Sequence, residues 1–216
     1  MENRRFSQAI NYHYDLSLAD GQRPLLICLH GYGQNKEMSM RFGRSIRQDW
    51  HIAAPQAPHP HHIFKKDGIG VGFGWVSSFE PQDDLANNYS LINHIGDSLY
   101  QEGKTTGNRA FLFAFSQSVS MCFRYAAHHP ERVAGIIAVA GAAPSDWGKE
   151  GTPKLHCPCL YIAPEDDEAY TSERMLGFRE VLAHHCKDLT WQSFPGGHRV
   201  PSKAYPVMKA WLDQQQ

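Results

Sequence analysis

The fold of this chain is decided by one stretch of sequence, Arg109-Ala110-Phe111-Leu112-Phe113-Ala114-Phe115-Ser116-Gln117-Ser118. Its six consecutive apolar residues show no alternation with polar ones, which predicts a strand buried on both faces of a parallel sheet. The apolar residues that follow recur at helical spacing, at Val119, Cys122, Phe123 and Ala126. The pattern therefore predicts that the chain turns from a buried strand into a helix at Ser116.

A serine on such a strand-to-helix turn has the setting of a nucleophile elbow, in which the residues two before and two after the serine must be small. Ala114 and Ser118 hold these positions, where glycine is usual, so the stretch is a variant of the G-x-S-x-G pattern. Taken alone, the pentapeptide is equally compatible with a serine that caps the N-terminus of a buried helix. The rest of the chain has to separate these two interpretations.

Composition limits the class of protein. The chain has 216 residues, of which 42% are hydrophobic and 20% are charged, which suits one α/β domain over residues 1–216. A formal net charge of −1 gives no reason to expect a nucleic-acid partner or an anionic membrane. No segment approaches the length of a transmembrane helix. The five cysteines are an odd number, and with no signal-like segment at the N-terminus they favour a cytoplasmic protein.

Strands and helices alternate along the chain, which predicts a doubly wound, mostly parallel sheet with helices on both faces. Residues 6–18 are expected to form an opening hairpin with the strand at 25–29. The other predicted strands cover residues 51–54, 110–115, 133–140, 158–163 and 189–194. Helices are expected at 37–47, from Asp83 or Asp84 onwards, at 119–127, after Thr171 or Ser172 with Leu176, Val181 and Leu182 inward, and at 202–213.

Residues 55–82 show no periodicity and are rich in glycine and proline, which predicts a long functional loop. Histidines 59, 61 and 62 lie close together there, but no matching carboxylate or cysteine pattern accompanies them, so a metal site is not expected. The pair Cys157 and Cys159 opens an apolar strand and has no second cysteine pair, so it too is interpreted as structural.

Chemically useful residues follow four of the predicted strands. They are Ser116, Asp166, His198 and the segment His30-Gly31-Tyr32-Gly33. In open α/β sheets the functional groups gather beyond the carboxyl ends of the strands, so we expect these four to meet. Their order along the chain, Ser then Asp then His, is the order of the α/β-hydrolase triad.

These pieces together resemble the phospholipase/carboxylesterase branch of the α/β-hydrolases, which includes acyl-protein thioesterases and small bacterial carboxylesterases. The resemblance runs from Leu25 to Leu212. It is carried by Leu29-His30-Gly31, Phe115-Ser116-Gln117, Ala163-Pro164-Glu165-Asp166-Asp167 and Gly196-Gly197-His198.

The resemblance implies a role for each matching residue. Ser116 would be the nucleophile and His198 the base, with Asp166 holding the histidine tautomer. The backbone N–H groups of Tyr32 and Gln117 would form the oxyanion hole. No cofactor is implied, because nucleophile, base and oxyanion donors are all protein groups.

The acid is open to alternatives, because it lies in the run Glu165-Asp166-Asp167-Glu168. Any of these carboxylates could be a solvated loop charge. Asp166 is favoured because the acid of the family falls at that spacing after the strand.

The expected substrate is a small uncharged ester or thioester with a short to medium acyl chain. Residues 141–156 are too few for a helical cap, so the pocket should be open. Its expected aromatic walls are Tyr32, Phe73, Trp75 and Trp147. Two alternatives remain: a ligand-binding protein with little turnover, because the elbow is altered, and an acyltransferase or peptidase that uses the same triad.

Overall fold

The computed structural model describes residues 10–65, 68–149 and 152–215. Its strands are β1 (Tyr14–Ser17), β2 (Leu25–Leu29), β3 (His51–Pro55), β4 (His59–Lys65), β5 (Gly68–Gly74), β6 (Ala110–Phe115), β7 (Val133–Val139), β8 (Cys159–Pro164) and β9 (Leu189–Phe194). Its helices are α1 (Lys36–Arg47), α2 (Pro81–Gln101), α3 (Gln117–His128), α4 (Ser172–His185) and α5 (Tyr205–Asp213), the last preceded by a 3₁₀ turn at Ser202–Ala204.

Within the described residues, seven strands form one sheet in the order β1-β3-β2-β6-β7-β8-β9. All neighbouring pairs are parallel except β1 and β3, which are antiparallel. This mostly parallel sheet with helices on both faces is the predicted α/β-hydrolase architecture, and no large cap domain interrupts the described part of the chain. Because β2, β6, β8 and β9 all run the same way, their carboxyl ends share one edge of the sheet.

The strand β6 shows why the central run is apolar without alternation. Its residues Ala110, Leu112 and Ala114 belong to one hydrophobic core with α2, α3 and α4. Its phenylalanines at 111, 113 and 115 belong to a second core, shared with α1 and α5. Every residue of β6 is buried. The strand is therefore sandwiched between two layers of helices, as the sequence predicts.

The opening hairpin was predicted with the wrong partner. Strand β1 pairs with β3, where Tyr14 lies opposite Pro55, and it does not pair with β2. Residues 6–9 of the predicted first strand lie outside the described residues. The parallel neighbours of β2 are β3 and β6, which occupy both of its edges. An antiparallel strand therefore cannot pair with β2, and β1 instead occupies the outer edge of β3.

The prediction of one long loop over residues 55–82 was wrong in part, because this segment contains two strands. Strands β4 and β5 form a two-stranded antiparallel hairpin in which His59 lies opposite Gly74 and Phe64 lies opposite Ile69. The alternation was hidden because the inner positions of β5 are glycines rather than apolar residues.

In α4, the helix predicted after Thr171 or Ser172, Met175 is buried and Leu176 is 59% exposed, so the predicted inward face was wrong by one residue there. No helix in the described part of the chain is long and apolar enough to cross a membrane.

Candidate active site

Ser116 lies at the turn between β6 and α3 in a conformation that is rare for a residue with a side chain. Its φ is +55° and its ψ is −115°. Two glycines allow the close packing around it. A Cβ atom on Gly141 would lie 2.5 Å from the Ser116 carbonyl oxygen, and one on Gly31 would lie 3.2 Å from the Ser116 Cβ. Strain of this kind is found where a side chain must be presented in one orientation, and here it presents the Ser116 hydroxyl.

The two unusual elbow residues fit this turn. Ala114 and Ser118 have no exposed surface. The Ser118 hydroxyl oxygen lies 3.0 Å from the carbonyl oxygen of Leu29 at the end of β2, and it accepts a 3.0 Å hydrogen bond from the Phe115 N–H. The Phe115 carbonyl oxygen lies at the same 3.0 Å from this hydroxyl, so the serine in place of glycine donates either across to β2 or within its own turn, and the turn forms despite the substitution.

His198 connects Ser116 to a buried carboxylate. Its Nε2 lies 2.8 Å from the Ser116 Oγ. Its Nδ1 lies 2.9 Å and 3.1 Å from the two carboxylate oxygens of Asp167, whose side chain is fully buried. With Nδ1 donating to Asp167, Nε2 is free to accept the Ser116 proton. The serine, the imidazole and the carboxylate thus form one hydrogen-bonded line.

The carboxylate in this line is Asp167, so the expectation of Asp166 is corrected. Asp166 is exposed, and its backbone N–H donates a 3.0 Å hydrogen bond to the Gly196 carbonyl oxygen. Strand β8 ends at Pro164, one residue later than predicted, and its pairing with the chain after β9 continues through Asp166. Only the next residue turns inward. The Asp167 Oδ1 also accepts hydrogen bonds from the N–H groups of Ala169 and Tyr170, at 2.8 Å and 2.9 Å.

Glu168 also contacts the histidine loop, which the sequence did not reveal. Its Oε2 accepts a 2.8 Å hydrogen bond from the backbone N–H of His198, and this bond holds the pKa of the Glu168 carboxyl below its usual range. A Cβ atom on Gly197 would lie 2.7 Å from the same Oε2. The run of four acidic residues at 165–168 was the sequence feature that could have indicated this contact. Its neighbours Asp167 and Glu168 bind the ring and the backbone N–H of His198, respectively.

The predicted oxyanion donors belong to two segments that adjoin Ser116. Gln117 is the first residue of α3, so its N–H has no acceptor within the helix. Tyr32 follows Gly31, which packs against Ser116. A turn closes this loop, because Gln34 N–H donates to the Gly31 carbonyl oxygen at 3.2 Å and its side chain accepts from the Gly31 N–H at 3.0 Å.

His30 supports the same loop from beneath. It has no exposed surface, and burial lowers its pKa to about 4. Its Nδ1 lies 2.8 Å from the Gly31 carbonyl oxygen, and its Nε2 accepts a 3.2 Å hydrogen bond from the Ala57 N–H. The imidazole is therefore neutral at physiological pH and acts in the fold rather than as a second base.

Two of the four predicted pocket residues are not available to a substrate. Trp75 has no exposed surface and belongs to the hydrophobic core, where its indole N–H donates a 2.8 Å hydrogen bond to the His30 carbonyl oxygen. Trp147 is 6% exposed and packs against Phe123 and His185. Tyr32, by contrast, is 62% exposed.

The other two predicted pocket residues, Tyr32 and Phe73, keep exposed surface, although Phe73 also packs against the hydrophobic core. Phe73 is half-buried. The Tyr32 ring stacks on His61 with ring centroids 4.3 Å apart. Tyr170, which the sequence did not single out, lies with its ring centroid 5.7 Å from that of His198. The aromatic wall is therefore partly different from the one predicted.

The histidines of the hairpin point to separate partners. The Nε2 of His59 lies 2.8 Å from Asp84 Oδ1, a carboxylate that the sequence pattern did not pair with it. His61 stacks on Tyr32 as described. Among the described residues, no group of three or more His, Cys, Asp or Glu side chains is arranged to hold a metal ion.

The fold and the elbow serine together define an α/β hydrolase. A family model agrees: the chain belongs to the phospholipase/carboxylesterase family, whose model matches residues 16–215. A curated relative, "Putative esterase NocK" of Nocardia uniformis subsp. tsuyamanensis, is 31% identical over 126 residues, which are 57% of this chain. The match covers 34% of the length of NocK, so this chain spans about a third of that protein.

Solved structures share the fold. A carboxylesterase from Mesorhizobium loti superposes with a TM-score of 0.73 at 17% identity, covering 98% of this chain and 99% of that one. Bacillus cereus carboxylesterase gives 0.70 at 14% identity, with 95% of both chains covered. Arabidopsis thaliana SOBER1 gives 0.71 at 18% identity and covers 89% of this chain and 99% of its own. At these identities the similarity establishes the architecture.

Proposed function

We propose that this chain is a serine esterase that hydrolyses carboxylic esters or thioesters of short to medium acyl chains through an acyl-enzyme intermediate. The observation that carries the proposal is the hydrogen-bonded line from Ser116 through His198 to Asp167. A serine hydroxyl is a weak nucleophile at neutral pH unless a base lies within hydrogen-bond reach. Here the base is 2.8 Å away and its far side is held by a buried carboxylate.

In the acylation step, Ser116 Oγ attacks the carbonyl carbon while His198 Nε2 takes the hydroxyl proton. The Asp167 carboxylate stabilises the imidazolium that forms and keeps its tautomer fixed. The carbonyl oxygen becomes an oxyanion, which accepts hydrogen bonds from the backbone N–H groups of Tyr32 and Gln117. The tetrahedral intermediate then collapses, and His198 returns the proton to the leaving alcohol or thiol.

Deacylation repeats these roles with water. His198 Nε2 takes a proton from a water molecule, whose oxygen attacks the acyl carbon of the Ser116 ester. When this second intermediate collapses, the C–O bond to Ser116 breaks and His198 protonates the departing Oγ. The carboxylic acid leaves, and the enzyme returns to its starting state.

The substrate class is supported by the surface around the site. Tyr32, which is 62% exposed, and Tyr170, which lies beside His198, offer aromatic area, and no large cap covers the described residues on this face. An open, aromatic site suits a small uncharged acyl or aryl ester.

We also propose that residues 1–216 act as one catalytic domain. The cytoplasmic location stays a prediction from the five cysteines, all of which are free and buried.

The test combines an active-site probe with a substrate panel. Wild type, Ser116→Ala and His198→Ala are incubated with a fluorophosphonate and examined by peptide mapping, and each is assayed on p-nitrophenyl esters and thioesters of increasing acyl length. We expect labelling at Ser116 that depends on His198, and hydrolysis that is lost in both variants. Ser78→Ala serves as the matched control, because Ser78 is exposed, and it should behave as wild type.

Three results would contradict the proposal. A folded wild type that is neither labelled nor active would leave a ligand-binding protein, which thermal stabilisation by ester analogues would then support. Hydrolysis that survives in Ser116→Ala would remove the proposed nucleophile. Products that carry the acyl group on an added alcohol or amine in preference to water would indicate an acyltransferase.

A further inference from the structure

Strand β5 of the hairpin has a second partner besides β4. The loop that carries the proposed oxyanion donor Tyr32 pairs with it, because Gly33 N–H donates to the Phe73 carbonyl oxygen at 2.9 Å. In return, Phe73 N–H donates to the Gln34 carbonyl oxygen at 3.2 Å, which makes an antiparallel bridge. The backbone on the C-terminal side of Tyr32 is therefore fixed by β5 rather than by its own loop alone.

The sequence of β5, Gly68-Ile69-Gly70-Val71-Gly72-Phe73-Gly74, leaves room for this pairing. A Cβ atom on Gly72 would lie 2.7 Å from both the Cα and the carbonyl oxygen of Gly33, which is too close for any side chain. One on Gly74 would lie 3.3 Å from the ring of Tyr32. The alternating glycines thus permit the oxyanion loop to lie directly against the strand.

The chain directly after β5 is held by the side chain of Gln117. Its Oε1 accepts a 2.9 Å hydrogen bond from the Trp75 N–H, and its Nε2 donates a 3.1 Å hydrogen bond to the Val76 carbonyl oxygen. Both ends of the carboxamide are therefore used, on consecutive residues. The Trp75 indole adds the hydrogen bond to His30 at the start of the oxyanion loop.

We propose that the side chain of Gln117 is a positioning residue that sets the distance between the two oxyanion donors. Its own backbone N–H is one donor, and its carboxamide is tied through residues 73–76 to the loop that carries the other, Tyr32. This inference rests on the proposed hydrolase function. Two amides on separate loops stabilise an oxyanion well only if they are held in advance at the spacing that the oxyanion requires.

The test replaces the carboxamide with a side chain of similar shape. In Gln117→Met both hydrogen bonds are lost, and we expect kcat to fall roughly 10- to 100-fold with little change in KM, because the oxyanion is absent from the bound ground state and develops only in the transition states and the tetrahedral intermediates between them. The rate of fluorophosphonate labelling at Ser116 should fall in parallel. Gln101→Met makes the same change on the exposed last residue of α2 and should leave both rates unchanged.

A second variant guards against a folding defect in the first. Gln117→Glu keeps an acceptor for the Trp75 N–H but places a carboxylate oxygen against the Val76 carbonyl, so we expect an intermediate kcat. Circular dichroism and the melting temperature separate loss of fold from loss of rate. If Gln117→Met does not fold, a folded Gln117→Glu with unchanged kcat would still overturn the proposal.

The failure of this inference and of the proposed function can be told apart. If Ser116→Ala is inactive while Gln117→Met retains kcat within about twofold of wild type, the positioning role is wrong and the hydrolase stands. If KM rises with kcat unchanged, Gln117 serves ground-state binding, which also overturns it. If the wild type is neither active nor labelled, the proposed function fails and this inference fails with it.

Discussion

Two groups of residues flank Ser116, and different kinds of interaction hold each in place. We call them the acid–base side, which comprises His198, Asp167 and Glu168, and the oxyanion side, which comprises the loop 30–34 and the strand β5 against it. On the acid–base side, carboxylates do this: Asp167 binds the His198 ring and Glu168 binds its backbone N–H. On the oxyanion side, the contacts from Gly33 and Gly72 are backbone pairing and close glycine packing without a charged group. On the acid–base side the holding groups are charged side chains, whereas on the oxyanion side they are backbone amides, neutral side chains such as that of Gln117, and glycines that leave room for close packing.

This difference determines which kind of substitution disrupts each side. On the acid–base side, removing a charge or a hydrogen-bond acceptor breaks the arrangement while the backbone stays in place. On the oxyanion side, adding a single methyl group forces the backbone to move. The sequence reveals the first kind of construction by residue type. It reveals the second only as a run of alternating glycines, which is easily taken for an irregular loop.

The largest loss of kcat is expected from substitution of Asp167, the carboxylate that binds His198. In Asp167→Asn the amide cannot stabilise the imidazolium and favours the wrong tautomer of His198, so kcat should fall roughly 10³- to 10⁴-fold. Asp166→Asn is the matched control at the neighbouring position, where the side chain is exposed, and should remain within about twofold of wild type. Steady-state hydrolysis of a p-nitrophenyl ester measures both. Equal losses in the two variants, or a larger loss in Asp166→Asn, would mean that the structure assigns the wrong acid.

A second prediction concerns His30, the neutral imidazole beneath the oxyanion loop. Burial lowers its pKa to about 4, so below its ordinary value the unfolded chain takes up a proton that the folded chain does not. Its contribution to stability is therefore complete above about pH 6.5 and is lost as the pH falls towards 4, by up to about 3 kcal/mol. Urea unfolding of the wild type across this range measures the loss.

The control for this prediction is His30→Gln, which keeps an acceptor for the Ala57 N–H but does not titrate. Its free energy of unfolding should depend less on pH than that of the wild type, by about the same 3 kcal/mol over the same range. If the two proteins lose stability in parallel, other groups cause the acid sensitivity, and the oxyanion side has no titratable support.

The smallest loss of kcat is expected from the close contact between Gly72 and the backbone of Gly33. Gly72→Ala places a methyl group against the backbone of Gly33, and the loop has to shift by a fraction of an ångström, so kcat should fall about tenfold. Gly177→Ala adds the same group to the surface of α4, where nothing lies within 4 Å, and should leave kcat unchanged. If Gly72→Ala keeps full activity with normal folding, the oxyanion loop tolerates displacement and the contrast between the two sides disappears.

Much of the architecture could be predicted from local patterns. The run at 110–115 predicted a doubly buried strand, and the order of strands and helices predicted the parallel sheet. Both are confirmed. Periodicity failed where glycine replaced the apolar residues that carry it, as in β5. It also failed for the partner of β1, because strand pairing depends on which sheet edge is free.

The sequence by itself determined that a serine stands at the turn between a buried strand and a buried helix, and that a histidine follows two glycines after the last strand. These follow from residue type and spacing, which act locally. Only the tertiary structure decided that Asp167 rather than Asp166 faces His198, because this depends on how far β8 pairs with the chain beyond β9. It alone placed Trp75 and Trp147 in the interior, and it joined Gln117 to the chain after β5, since these contacts link residues far apart in sequence.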